Sequence, residues 1–217
     1  MSFSLGLDLG GSKLAAVAVD AAGQVVAEVR VPTPATAGLV ESMLAVVAEL
    51  ESVVGPAPLG VGMPALVSPD GTVRVAPHLP GFTGLRLGPV LSGRLGGRRV
   101  VVENDATAAA AAEIALGAAR GSRNVVLVTL GTGIGGGLVV DGNVVRGAHG
   151  FAGELGHMVV DPAGPPCACG RRGCWEARAS GSALAEQGRE AAGAGRADGL
   201  ARLAGGAEWV RGEHVTA

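Results

Sequence analysis

The feature that most constrains the fold of this chain is an order of elements that occurs twice. From Leu5 the sequence alternates Leu-Gly-Leu-Asp-Leu, breaks at Gly10-Gly11, resumes as an apolar run over 14–19, turns at 20–23 and continues over 24–31. That text predicts three antiparallel strands joined by tight turns. From Val125 the order returns: a strand over 125–130, a glycine loop over 131–137, a strand over 138–140, the hairpin signal Asp141-Gly142 and a return strand beginning over 143–146. Sheets of this kind must cover a face with helices, and the second element type is also present. Leu39, Met43, Val46, Val47 and Leu50 fall at helical spacing, and the Ala-rich run 106–119 is helical on propensity. Buried strands are expected at 59–63 and 100–102, and the stretch 67–91 is rich in Pro and Gly, with the turn signal Pro69-Asp70-Gly71 and no helical spacing singled out in it. Two such units predict a duplicated α/β architecture. Beyond Glu176 the text supports helical pieces at 182–192 and 200–210, no further strand, and a frayed tail from Arg211.

The glycine loops are the first candidates for chemistry. Gly131-Thr132-Gly133-Ile134-Gly135-Gly136 has the spacing G-x-G-x-x-G, but a strand and hairpin follow where a dinucleotide fingerprint needs a helix. What remains is a loop whose backbone N–H groups can converge on an anion. The first loop, Asp8-Leu9-Gly10-Gly11-Ser12-Lys13, follows the same logic, with Asp8 suited to Mg²⁺ through water and Ser12 and Lys13 suited to phosphate oxygens. Two ordinary Gly-rich turns are the alternative.

Val100-Val101-Val102-Glu103-Asn104-Asp105 passes from a buried strand into a helix. An Asp at such a junction is commonly an N-cap; the functional alternative is a general base at a strand end, which phosphoryl transfer requires. His157, Cys167, Cys169 and Cys174 supply one imidazole and three thiols, the donor set of a closed, structural Zn²⁺ site. Gly170 and Gly173 let the backbone turn tightly enough for the sulfurs to converge. Glu154 and Glu176 flank this module, either as ordinary surface acids, the default for a lone Glu, or as acceptors for sugar hydroxyls.

Composition removes other classes. Seventeen basic against nineteen acidic residues, net charge -2, leaves no positive surplus for nucleic acid or an anionic membrane. Three Phe, two Trp and no Tyr argue against base stacking. No signal peptide is expected, nor any run near the ~20 apolar residues of a membrane helix. Three clustered cysteines suit a reducing cytoplasm better than a disulfide framework.

LGLDLGGSK, VENDA, LVTLGTGIGGG, GELGH and CACGRRGCWE, in that order, resemble the ROK family of repressors and sugar kinases, its bacterial glucokinases in particular; the likeness runs over roughly residues 5 to 183. The resemblance implies an actin-like (ribonuclease H-like) duplicated α/β fold, with mixed sheets flanked by helices. It implies a first subdomain over 1–105 and an incomplete second over 106–217 that carries the zinc module 157–176. It implies a cytoplasmic, ATP-dependent kinase of a hexose, glucose at O6, using Mg²⁺ and structural Zn²⁺, with no nucleic-acid or membrane partner and a homo-oligomeric full-length form. By the same resemblance Asp105 is the catalytic base, and Asn104, Asp105, Glu154, His157 and Glu176 contact the sugar. Asp8, Gly10, Gly11, Ser12 and Lys13, with Gly131, Thr132, Gly133 and Gly135, hold the nucleotide phosphates. His157, Cys167, Cys169 and Cys174 hold the zinc.

The sequence departs from the family pattern at Thr107, where Asn is frequent, and at His78 and Phe82, where Asn and Trp are frequent in the sugar-side loop. The family also continues past residue 217, so a truncated chain is expected. The alternative reading is therefore a non-catalytic sugar-binding or regulatory module. The repressor branch is disfavoured, because only four residues precede the first strand. ATP and polyphosphate both stay open as donors.

Overall fold

A computed structural model describes residues 2–34, 38–77 and 79–216; His78 lies outside the described residues. The first three strands are β1 (Ser4–Leu9), β2 (Lys13–Val19) and β3 (Val25–Pro32), followed by helix α1 (Leu39–Val54). Next come β4 (Leu59–Met63), the short pair β5 (Leu66–Val67) and β6 (Val73–Val75), and helix α2 (Leu87–Arg94). Then β7 (Val100–Asn104) leads into α3 (Asp105–Ala115), and the repeat supplies β8 (Val125–Leu130), β9 (Ile134–Val140) and β10 (Asn143–Val144). Four helices close the chain: α4 (Trp175–Ala179), α5 (Gly181–Gly193), α6 (Asp198–Ala204) and α7 (Gly212–Thr216).

The repeat is visible in the sheets. Five strands pair in the order β3-β2-β1-β4-β7, and three more in the order β10-β9-β8. β1 runs antiparallel to β2 and parallel to β4, and β4 runs parallel to β7. By compactness the chain forms two units, Met1–Val125 with Leu138–Ala152, and Val126–Gly137 with Gly153–Ala217.

The core of the first unit follows from strand alternation. Leu5, Leu7 and Leu9 are buried while Ser4 and Asp8 are exposed, so the period of two that hides the leucines turns Asp8 to the other face. Leu39, Met43, Val46, Val47 and Leu50 of α1 are all buried, and the helix stops at Gly55, whose φ of 76° suits glycine. Burial of such side chains contributes roughly 1.5–3 kcal/mol each. The exposed pair of Glu41 with Arg94 is screened by solvent and adds little. The apolar face holds this helix.

Four expectations need correction. Helix α3 ends at Ala115 rather than 119, because the N–H of Ala118 is taken by the Glu113 carboxylate at 2.8 Å and Gly117 is a poor helix former. The Pro/Gly-rich region contains α2; Pro89 falls in its first turn, where a missing N–H is harmless, and Leu87 and Leu91 are buried. The second glycine loop is shorter than 131–137, since β9 starts at Ile134 and that side chain is buried. The tail is not frayed over its length: α7 docks by Val215 on α5, where Gly188 leaves space that a Cβ would fill at 2.8 Å from Val215.

Candidate active site and metal module

In the first unit the register places Asp8 opposite Gly62, and Gly62 opposite Glu103 at the end of β7. These are the carboxyl ends of parallel strands, where open α/β sheets present ligand-binding groups. Helix α3 begins immediately after. Its N-cap is Asn104, whose Oδ1 accepts the N–H of Thr107 at 3.0 Å. Capping is therefore not the work of Asp105, which is exposed and accepts only the N–H of Ala106, at 2.8 Å, among the described residues. Thr107 stands where that cap requires only a backbone N–H, so its departure from the family pattern leaves the helix start intact.

Gly62 lies beside the start of α3: a Cβ there would stand 3.7 Å from the Cα of Asp105, an ordinary van der Waals contact. The Asp8 carboxyl is raised above its ordinary pKa, first by partial desolvation and then by the negative charge of Asp105, with Lys13 opposing. Two carboxylates and one ammonium near a glycine turn make a site fit for a hard cation and a proton acceptor. The turn itself is tied down: Gly10 N–H donates to Lys13 O at 2.9 Å, and Thr33 bonds Gly10 O through its hydroxyl at 2.7 Å and Ser12 O through its N–H at 3.0 Å. Gly11, Ser12 and Lys13 remain exposed.

Glu103 adds a brace that sequence reasoning missed. Its Oε2 accepts from Arg146 Nε at 2.5 Å, and its Oε1 accepts the N–H of Asn104 at 3.2 Å. The only available signal was its place one residue before Asn104-Asp105. Asn104 also donates weakly through Nδ2 to Ala65 O at 3.4 Å. Phe82 is buried in the core of the first unit.

In the second unit the loop Gly131-Thr132-Gly133 is held from several sides. The N–H groups of Gly181 and Ser182, at the start of α5, donate to Gly131 O at 2.8 Å and Thr132 O at 3.2 Å. Glu176 Oε2 accepts the N–H of Ile134 at 2.8 Å. Among the described residues no acceptor takes the N–H groups of Thr132 and Gly133, which leaves them for an anion. Gly135 lies within β9, not in the loop.

The four predicted metal ligands converge: donor atoms of His157, Cys167, Cys169 and Cys174 all lie within 4.8 Å of one another. Cys167 Sγ stands 3.6 Å from His157 Nδ1, and Cys169 Sγ 3.6 Å from Cys174 Sγ. A tetrahedral ion with metal–sulfur bonds of about 2.3 Å has S···S edges of about 3.8 Å. The donor set fits Zn²⁺. Gly170 and Gly173 have φ of 87° and 67°, and a Cβ on Gly173 would overlap Asp161 O, so the tight turns need glycine twice. The Arg171 backbone N–H holds the Cys169 thiol down to about 6, whereas burial pushes Cys174 up to about 11. His157 Nε2 lies 3.9 Å from Glu154 Oε2, near but outside hydrogen-bond distance.

Comparison with known proteins gives the lineage. The family model described as "ROK family" matches residues 4–205. The chain belongs to the ROK family. This ROK chain is 38% identical over 221 residues to a glucokinase of Streptomyces coelicolor, covering 100% of itself and 69% of that protein. It is 39% identical over 187 residues to an N-acetylmannosamine kinase of Citrobacter koseri, covering 84% of itself and 63% of that protein. Among solved structures, a ROK glucokinase of Streptomyces griseus in complex with glucose and AMPPNP matches with a TM-score of 0.83 at 37% identity, covering 98% of this chain and 69% of that one. The fold is accordingly the actin-like one. None of the helices among the described residues is long and apolar enough to cross a membrane.

Proposed function

We propose that this ROK chain is an ATP-dependent hexose kinase that phosphorylates glucose at O6, with Asp105 as general base. The observation that carries the reading is the division of labour at the start of α3: Asn104 caps the helix, and Asp105 keeps an exposed carboxylate whose charge helps raise the pKa of Asp8. A base must accept a proton from the attacking hydroxyl, and Asp105, with Oδ1 on the N–H of Ala106, keeps Oδ2 for that proton.

The remaining roles follow from each residue's surroundings. Asp8 would hold Mg²⁺ through its water shell, and the bound ion supplies charge neutralisation on the transferring phosphoryl group. Gly10, Gly11, Ser12 and Lys13, with the N–H groups of Thr132 and Gly133, receive the phosphates. Glu154 and Glu176 accept from sugar hydroxyls, His157 offers Nε2, and Asn104 offers Nδ2, because its Oδ1 serves the cap. A zinc ion on His157, Cys167, Cys169 and Cys174 would hold the segment between these groups in shape, a structural role. Such an enzyme belongs in the cytoplasm, where ATP and reduced thiolates coexist.

The test is a coupled ADP-release assay with glucose, mannose and N-acetylated hexosamines. Asp105→Asn should lower turnover by about 10²-fold or more while glucose still binds and the melting temperature holds, since the cap is on Asn104. Full turnover in that variant would remove Asp105 from the mechanism. Glucose binding without turnover in the unaltered chain would favour a sugar-binding module.

A further inference from the structure

We propose that Glu176 is a positioning residue for the phosphate loop: one carboxylate oxygen sets the shape of Gly131-Thr132-Gly133, and through it hexose binding and phosphate-donor binding are coupled. The inference rests on the reading of Glu176 as a sugar contact and of this loop as a phosphate site.

Three observations within the second unit carry it. Glu176 Oε2 accepts the N–H of Ile134 at 2.8 Å, at the point where the loop becomes β9. The same oxygen would stand 2.4 Å from a Cβ on Gly133, so the absence of a side chain there admits the carboxylate. Gly133 is not in the left-handed region, which means its glycine serves this close approach and not a backbone requirement. The loop is also fastened to the segment that follows Glu176, through Gly181 N–H to Gly131 O and Ser182 N–H to Thr132 O.

The chemistry follows from the two oxygens. With Oε2 on Ile134, Oε1 is the atom that accepts a hexose hydroxyl. A bound sugar then restrains the side chain, the restrained side chain restrains the loop, and the loop binds phosphate with less ordering to pay. By linkage the donor must raise sugar affinity by the same factor.

Calorimetry with Mg-AMPPNP in the absence of sugar, and with glucose in the absence of nucleotide, tests the idea on the full chain. Glu176→Ala should weaken Mg-AMPPNP about tenfold with no sugar present, the loss expected for a hydrogen bond to a charged acceptor. Glu176→Gln keeps an acceptor for Ile134 and should stay within about twofold for nucleotide while glucose affinity falls. Gly133→Ala should weaken nucleotide binding in the unaltered background and have little further effect beside Glu176→Ala, because the clash partner is gone. Unchanged nucleotide affinity in Glu176→Ala, or additive effects of the two substitutions, would overturn the positioning role and leave the kinase reading standing. A chain that binds neither Mg-AMPPNP nor glucose would overturn both.

Discussion

Replacing Arg146 by Ala is the sharpest test of how the base-bearing strand end is held. Glu103 has only 13% of its side chain exposed, whereas Arg146 has 45% exposed. Truncating the arginine therefore leaves a largely buried carboxylate whose one remaining hydrogen-bond donor among the described residues is the Asn104 N–H. Removing one member of such a pair costs more than the pair is worth, because the remaining charge has lost its compensation. The partial exposure of Arg146 puts the loss below that of a fully buried pair, at about 2 kcal/mol. For a chain of this size that is a fall in melting temperature of about 4–8 °C. Both tryptophans lie in the second unit, so far-UV circular dichroism is the better probe of the first. Glu103→Gln in the Arg146→Ala background should recover part of the loss, since an amide does not carry the uncompensated charge. A melting temperature within about 1 °C of the unaltered chain, or equal effects of Glu103→Gln in the two backgrounds, would refute the brace.

Metal removal should act on the second unit: the purified chain is expected to carry one zinc per molecule, and a strong chelator or Cys174→Ser should lower both melting temperature and glucose affinity. Elemental analysis with thermal melts checks this, and a metal-free protein with an unchanged melt would dismiss the zinc. At acid pH, the hydroxyls of Ser68 and Thr72 hold the Asp70 carboxyl down to about 2. A depressed carboxylate adds stability above its unfolded pKa near 3.8 and loses it as pH falls toward 2. Asp70→Asn should therefore flatten the acid limb of the stability curve between those values, as read by urea melts at stepped pH; a limb of unchanged steepness would contradict the assignment.

Much of this molecule is legible in its text because the relevant forces are local. Alternation over Leu5, Leu7 and Leu9, helical spacing from Leu39 to Leu50, and Asp141-Gly142 between strands each encode an element without reference to distant residues. The same holds for the metal module, since three thiols within eight positions and two tight glycine turns leave few ways to arrange the sulfurs. Helix α2 was illegible for the opposite reason: Gly88, Pro89 and Gly93 speak against it, and burial of Leu87 and Leu91 outweighs them.

What the sequence determined by itself, then, is the doubled strand–loop–strand plan, its glycine loops and its Cys₃His donor set. Tertiary structure alone decided which residue of Asn104-Asp105 caps the helix, because both types cap equally well and only the actual hydrogen bond to Thr107 separates them. It also decided what Glu103 and Glu176 do. Their partners, Arg146 and Ile134, are brought to them by strand pairing and packing, and pairings across such sequence distances follow from no local rule.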